Sequence, residues 1–148
     1  MRRAELLEFL RSHRYAVQAS VTADARPQAA VVGIAVSDDF EIVFDTLDSS
    51  RKAGNLRGNA AIALVIGGTH DVDERTVQYE GIADVPTGAE RDRLLELYFS
   101  RFPDGRSRLS WRGLIHIRVR PGWVRYSNFN SNPPEIVEWD GQALSTLS

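Results

Sequence analysis

The sequence predicts a mainly β fold, a small closed or partly closed antiparallel barrel with helices at its periphery. Three observations predict it. Segments that alternate apolar and polar residues recur along the chain, as half-buried strands do. Most of these segments are joined by short turns, which suit antiparallel neighbours, whereas parallel neighbours need long crossovers. The six or seven strands expected from the sequence exceed what a flat sheet needs, so closure into a barrel is the economical solution.

Length and composition limit the classes of protein to consider. The 148 residues predict one domain spanning 1–148, without repeats or linkers. A net charge of −2 gives no reason to expect a nucleic-acid or membrane partner. The absence of cysteine excludes disulfides and thiolate catalysis. The N-terminus lacks an apolar signal core, so we expect a cytoplasmic protein.

The first half of the chain predicts one helix followed by three strands. Apolar residues recur at helical spacing in the first of these segments, whereas the later ones alternate or are continuously apolar. The strand beginning at Tyr15 alternates over its whole length, which is typical of a half-buried strand. The expected elements are a helix over 4–12 and strands over 15–23, 29–36 and 42–46.

The second half predicts a short helix, further strands and a second long helix. Thr87 and Glu90 have the spacing of a capping box, and Pro103 follows the helix that they open. Pro121-Gly122 predicts a turn between the last strands, and the apolar tail is expected to dock. The expected strands are 60–66, 76–85, 114–120 and 123–126, with an acidic loop over 69–74.

The strongest candidate for a functional site follows the third strand, in the segment Ser49-Ser50-Arg51-Lys52. A serine hydroxyl is a good N-cap for the helix that begins here. The first N–H groups of a helix are free and carry the positive end of its dipole. With two cations beside them, these groups form a cradle for a phosphate.

The charges around this segment leave two interpretations open. Lys52 is the only lysine among 18 basic residues. Basic residues in the first turn of a helix are unfavourable unless an anion is present. Asp45 and Asp48 could instead pair with Arg51 or Lys52, and the segment would then be an ordinary helix start on the surface.

No other group of residues indicates a catalytic or binding site as clearly. No two of His13, His70 and His116 have metal-ligand spacing, so no metal site is expected. No nucleophile elbow is present, and no side-chain acid, base or nucleophile is singled out as catalytic. Trp111 and Trp123 could stack near a ring system, although core packing is the more common role of such residues.

The order of these segments resembles the pyridoxamine 5'-phosphate oxidase-like flavin-binding split-barrel superfamily. The resemblance covers roughly residues 5–127 and is most specific over Phe44–Leu64. Its motifs are Val-Phe-Asp-Thr-x3-Ser-Arg-Lys-Ala-x-Asn-Leu-Arg-x-Asn, Val-Gln-Tyr-Glu-Gly-x-Ala and Leu-x3-Tyr-Phe-x2-Phe-Pro. The resemblance implies a six-stranded antiparallel split barrel, a homodimer, and FMN in the groove between the subunits.

The resemblance also implies roles for individual residues. Ser50, Arg51 and Lys52 would hold the flavin phosphate, with Asp45 and Thr46 beside them at the strand end. Either Thr76 or Gln78 would face the cofactor from the partner subunit, and both lie on one face of their strand. Tyr98 matches the tyrosine that binds the substrate phosphate in the oxidase.

Departures from the pattern of the oxidase limit the expected activity. Ala30 and Ala35 stand where the oxidase has an arginine and a lysine, and Phe102 stands where it has a further arginine. No arginine–x–histidine pair follows Tyr126. We therefore expect an FMN-dependent oxidoreductase that acts on a small molecule other than pyridoxamine phosphate.

Two alternatives remain on the same fold. One is a non-enzymatic module that binds flavin, haem or pyridoxal phosphate. The other is a deazaflavin-dependent reductase, for which Arg57, Arg75 and Arg112 could bind the acidic cofactor tail.

Overall fold

The computed structural model describes the whole chain, Met1–Ser148. Its strands are β1 Tyr15–Val21, β2 Pro27–Gly33, β3 Ala35–Val36, β4 Ile42–Leu47, β5 Ala61–Gly67, β6 Arg75–Asp84, β7 Leu114–Asn128 and β8 Glu135–Asp140. Its helices are α1 Arg3–Arg11, α2 Arg51–Gly58, α3 Gly88–Arg101 and α4 Gly141–Thr146, with a 3₁₀ segment over Pro103–Ser110. None of the helices is long and apolar enough to span a bilayer.

All strands belong to one antiparallel sheet that curls into a barrel. Its order is β2-β1-β5-β6-β7-β4-β3, and β8 pairs with the second half of β7. β2 and β3 lie at opposite ends of this order, yet only Ile34 separates them in the chain. The sheet must therefore curl until its two ends meet, which confirms the predicted barrel. It has more strands than expected because the apolar tail adds β8 and the segment 29–36 divides.

The prediction of one central strand over 29–36 was wrong. The chain breaks its pairing at Ile34, whose N–H donates to the carbonyl of Arg14 at 3.0 Å. Before this break the segment pairs with β1, and after it with β4. β2 therefore lies at one end of the strand order, and Val31 on it is 65% exposed.

The turn predicted at Pro121-Gly122 is instead a bulge within the continuous strand β7. Gly81 pairs with Pro121 and Glu80 with Trp123, which leaves Gly122 without a partner in the ladder. Proline has no N–H for such a ladder, so a bulge accommodates it. A Cβ on Gly81 would overlap the carbonyl oxygen of Arg120, so the close approach requires glycine.

Two details at the start of α3 also differ from the prediction. Thr87 is the N-cap residue, but its side chain makes no capping hydrogen bond. The Glu90 carboxylate accepts hydrogen bonds from Arg93 and Arg118 instead. The strand expected over 76–85 also ends one residue earlier, since Val85 lies beyond the end of β6 and is 53% exposed.

The buried residues form two clusters on opposite sides of the sheet. The larger fills the barrel and includes Phe44, Tyr79 and Tyr126. The smaller lies outside the barrel, where α3 covers β3 and β4 with Leu94 and Tyr98. Helix α3 thus covers one part of the outer surface of the sheet.

The outer face of β1 reverses the usual arrangement of a half-buried strand. Gln18 and Ser20 point into the barrel and are buried, whereas Tyr15 and Val17 point outward and are exposed. The neighbouring strands β2 and β5 place Val31 and Val65 opposite Val17 on the same outer face. An uncovered apolar surface therefore extends across adjacent strands of the barrel.

Candidate phosphate-binding site

The turn between β4 and α2 builds the site that the sequence predicted. Ser50 has extended backbone geometry, and its Oγ accepts a hydrogen bond from the N–H of Ala53 at 3.2 Å. Thr46, near the end of β4, donates its hydroxyl hydrogen to the same Oγ at 2.9 Å. Ser50 is therefore the N-cap of α2, as predicted, and Thr46 lies beside it.

Arg51 and Lys52 occupy the first turn of α2 without any acidic residue in that turn. Neither side chain forms an ion pair or a hydrogen bond within the chain. Asp45 and Asp48, the carboxylates that could have neutralised them, do not pair with them. Two uncompensated cations thus lie beside the free N–H groups of a helix, an arrangement that favours an anion.

The loop that carries the cradle is held from two sides. The N–H of Asp48 donates to the carbonyl of Gly113 at 2.7 Å, and Arg57 donates to the carbonyl of Asp48 at 2.9 Å. Gly113 has φ +78, and a Cβ there would lie 2.5 Å from the Asp48 carboxylate. The sequence did not predict the support at Gly113, because it depends on the pairing of β4 with β7.

Asp45 and Tyr98 lie apart from the cradle, on the α3 side of β4. Successive residues of a strand point to opposite faces, so Asp45 faces away from Thr46. Arg108 donates to the Asp45 carboxylate at 2.8 Å and to the hydroxyl of Tyr98 at 3.2 Å. Burial, with the nearby Asp45 charge, raises the pKa of Tyr98 to about 12. Arg108 therefore pairs with Asp45 and hydrogen-bonds Tyr98, the two residues to which the resemblance assigned roles in binding the cofactor and the substrate.

His116 belongs to this second cluster. It is 4% exposed, pairs across the ladder with Asp45, and packs edge-on against Tyr98 and Phe99. Its Nε2 has no hydrogen-bond partner. Burial lowers the pKa of His116, so the neutral form is favoured. No group of three or more potential metal ligands is present in the chain.

Thr76 and Gln78 share the outer face of β6, as the alternation predicts. Thr76 is half-buried against Gly68, whereas Gln78 is exposed and makes no hydrogen bond within the chain. Helix α2 lies on the inner side of the sheet, where Asn55 donates to Ser20 at 3.1 Å. The cradle and Gln78 therefore lie on opposite sides of the sheet, and one chain does not bring them together.

A cavity of about 300 Å³ opens beside the cradle under α2. Its walls are apolar, with Ala53 and Leu56 from the helix and Ile115 and Ile117 from β7. Asp48 and Arg57 are among the polar residues that line it. The cradle thus adjoins an apolar space, which is the usual combination at a site for a phosphate-bearing ring compound.

Comparison with known proteins places the chain in a family. The family model for pyridoxamine 5'-phosphate oxidase matches residues 3–126. A pyridoxine/pyridoxamine 5'-phosphate oxidase of Burkholderia vietnamiensis is 31% identical over 137 residues, covering 85% of this chain and 59% of the relative. The chain belongs to the pyridoxamine 5'-phosphate oxidase family. It spans less than two thirds of that relative's length.

Solved structures of this fold include proteins with different ligands in their names. A haem-binding protein from Mycobacterium smegmatis superposes with a TM-score of 0.81 at 15% identity, over 97% of this chain and 60% of that one. An FMN-binding protein of Nostoc punctiforme, described as related to pyridoxamine 5'-phosphate oxidase, superposes with a TM-score of 0.69 at 14% identity, covering 93% and 87%. At these identities the likeness shows the fold alone.

Proposed function

We propose that this member of the pyridoxamine 5'-phosphate oxidase family is an FMN-dependent oxidoreductase that binds the flavin phosphate at Ser50, Arg51 and Lys52. The observation that carries the proposal is the pair of unpaired cations at the free N-terminus of α2. Arg51 can donate to two phosphate oxygens at once, and Lys52 adds a second charge. The neighbouring N–H groups of the helix complete the set of donors.

The chain would hold and orient the flavin. When bound, the flavin ring supplies hydride transfer through its N5 atom. Ser50 would position the first turn of α2 around the phosphate, and the fixed loop at Asp48 would keep that turn in place. The apolar cavity under α2 would exclude water from part of the ligand. No side-chain acid or base is required for this chemistry, because the flavin ring itself carries out the hydride transfer.

The residues fit a flavin better than haem. Haem proteins usually supply an axial ligand, often histidine. None of the three histidines, His13, His70 and His116, lines the cavity beside the cradle, and His116 is 4% exposed and enclosed by aromatic rings. A deazaflavin is the second candidate, because Arg57 and Arg112 both lie next to the Asp48–Gly113 contact, where an acidic tail could bind.

Strands β2 and β3 support a substrate other than pyridoxamine phosphate. Ala30 and Ala35 provide no charge, and Phe102 fills the space beside Gly33. A Cβ on Gly33 would lie 2.8 Å from the ring of Phe102, which stacks on Tyr98 with centroids 4.9 Å apart. We therefore infer that the substrate is a small molecule whose binding requires no phosphate-binding side chain at Ala30, Ala35 or Phe102.

We further propose that two copies of the chain form the complete site. The outer face of β2, β1 and β5 carries apolar side chains without a single charge: Tyr15, Val17, Ala19, Val21, Pro27, Ala29, Val31, Ala61, Ala63 and Val65. An apolar surface of this extent usually marks an interface. A groove of about 590 Å³ continues it toward Ile82 and Trp123. Gln78 borders this surface, so dimerisation would carry it to the partner's cofactor.

The visible spectrum of the purified protein tests the cofactor. We expect the two-band spectrum of an oxidised flavin, either as purified or after adding FMN. Arg51→Gln with Lys52→Gln should weaken FMN binding at least a hundredfold, since each charge-assisted hydrogen bond contributes about 1.5–3 kcal/mol. The charge-matched control, Arg2→Gln with Arg91→Gln, should bind normally. Unchanged affinity in the first variant, or a haem spectrum, would overturn the proposal.

Mixed dimers test the shared site. Co-expressed subunits, one carrying the Arg51/Lys52 double substitution and the other Gln78→Leu, should form heterodimers in which one of two sites is intact. We expect half the FMN stoichiometry in the heterodimer and weak binding in each homodimer. If Gln78 served the cradle of its own chain, neither site would be intact and binding would not recover. Val31→Glu should abolish dimerisation in sedimentation experiments while leaving the monomer folded.

A further inference from the structure

We propose that Asn55 is a positioning residue that fixes the phosphate cradle relative to the partner subunit. The inference rests on the proposed function, because it concerns how the two ends of one bound flavin are held. Asn55 lies in the second turn of α2, and its amide nitrogen donates to Ser20 Oγ at 3.1 Å and to Gln28 Oε1 at 2.9 Å. Both hydrogens of the amide group therefore bind the wall of the barrel.

Helix α2 has few other attachments to the barrel. It is eight residues long, and Ala53 is its only buried residue. Leu56 packs against the core but is only partly buried. Arg57 donates to the carbonyl of Asp48, which belongs to the loop of the cradle and not to the barrel wall. Asn55 is the one residue of the helix whose side chain hydrogen-bonds to a strand, so this amide sets the position of α2 over β1 and β2.

The two acceptors belong to strands that form the proposed dimer surface. Ser20 on β1 pairs directly with Gln28 on β2, so their side chains share the inner face of the sheet. Successive residues of a strand point to opposite faces, and the neighbours Ala19 and Ala29 therefore face outward. The hydrogen bonds of Asn55 thus attach α2 to the same two strands against which we expect the second copy to pack.

A cofactor that is held at both ends requires a fixed distance between its two binding groups. In the proposed site the phosphate binds Arg51 and Lys52, and the ring meets Gln78 of the partner subunit. Two linked groups bind much more tightly than one only if both can be engaged at the same time. Asn55 relates α2 to β1 and β2, and the dimer contact relates these strands to the partner. The hydrogen bonds of Asn55 therefore set the span that the flavin must bridge.

Parallel titrations of the whole chain with FMN and with inorganic phosphate test the inference. Asn55→Leu replaces the amide with an apolar group of similar shape and removes both hydrogen bonds. We expect FMN affinity to fall about tenfold, because the two ends are no longer engaged together, whereas phosphate, which contacts only the cradle, should change in affinity by less than about twofold. Flavin fluorescence reports FMN binding, and the amide signals of residues 50–53 in nuclear magnetic resonance spectra report phosphate binding.

Two controls separate positioning from a general weakening of the fold. Ser20→Ala with Gln28→Leu removes the acceptors and leaves α2 unchanged. It should lower FMN affinity by the same factor as Asn55→Leu, and combining all three substitutions should cause no further loss. Leu144→Ala removes a side chain buried in α4, so it should lower the melting temperature without changing the FMN affinity of the folded protein.

The outcomes also distinguish this inference from the proposed function. In the monomeric Val31→Glu chain, Asn55→Leu should leave the remaining FMN affinity nearly unchanged, because only the phosphate end is bound there. Equal losses of FMN and phosphate affinity would show that Asn55 merely stabilises the helix, and unchanged FMN affinity would show that it positions nothing. Either result would overturn the inference while the proposed function stands. Failure of the unsubstituted chain to bind FMN would overturn both.

Discussion

Arg118 and Arg51 are the same kind of side chain in opposite surroundings. Arg118 is 4% exposed and bonds Asp84 through Nε at 2.9 Å and Nη2 at 2.6 Å, and Glu90 through Nη1 at 2.8 Å. Arg51 is exposed, has Lys52 beside it, and meets no carboxylate. The contrast indicates that the first cation serves the fold and the second is available to a ligand.

The environment of Arg118 explains how α3 is fixed to the barrel. Arg118 lies on β7, Asp84 ends β6, and Glu90 lies in the first turn of α3. Hydrogen bonding to Arg118 lowers the pKa of Asp84, and bonding to Arg93 and Arg118 lowers that of Glu90. Both carboxylates are therefore charged at neutral pH, and together they join the helix to two strands.

The largest effect is expected from removing the cation of this network. Arg118→Met should destabilise the fold by about 3 kcal/mol, because it leaves carboxylates without their buried partner. The melting temperature should fall by roughly 6–12 °C. FMN affinity of the folded protein should remain unchanged, and a parallel loss of affinity would contradict the separation of the two groups of cations.

A substitution at Ser50 separates stability from binding within the cradle itself. Ser50→Ala should cost about 1 kcal/mol of unfolding free energy through the lost cap. Ser50→Asp should keep the cap and the stability, but its charge should oppose a phosphate and reduce FMN affinity at least tenfold. Chemical denaturation and fluorescence titration measure the two quantities. Normal FMN binding by Ser50→Asp would show that the phosphate binds elsewhere.

The pH dependence of stability tests the buried network around Asp45. Burial lowers the pKa of His116, and Asp45, the carboxylate opposite it, is already paired with Arg108. Protonation of His116 therefore opposes folding. The stability that neutral His116 contributes should be complete above the ordinary histidine pKa of 6.5. It should be lost as the pH falls through the lowered pKa of His116 in the folded protein. His116→Phe should flatten this part of the stability profile measured by denaturation between about pH 5 and 7.

The smallest effect is expected at Arg57, which supports the cradle loop from an exposed position. Arg57→Gln should change the unfolding free energy by no more than about 0.5 kcal/mol. FMN affinity should fall only a few-fold, because the loop keeps its contact with Gly113. A deazaflavin with an acidic tail should lose more affinity than FMN does in this variant. Equal losses for both cofactors would argue against a role for Arg57 in binding such a tail.

Much of the cradle could be predicted from the sequence because its geometry is local. The N-cap at Ser50, the helix that begins at Arg51 and the end of β4 near Thr46 follow from neighbouring residues. The hydrogen bond between Asp48 and Gly113 and the ion pair between Asp45 and Arg108 could not be predicted. They join segments more than 60 residues apart, and only the pairing of β4 with β7 places them together.

The sequence by itself determined the type of most elements, the antiparallel barrel and the cradle, because periodicity and capping act over a few residues. Only the tertiary structure decided which face of each strand is buried. The alternation of β1 identifies two faces but not which of them points inward, and the curl of the sheet places Gln18 and Ser20 inside and Val17 outside. Barrel closure joins residues distant in the chain, so its outcome depends on the whole sheet rather than on any one strand.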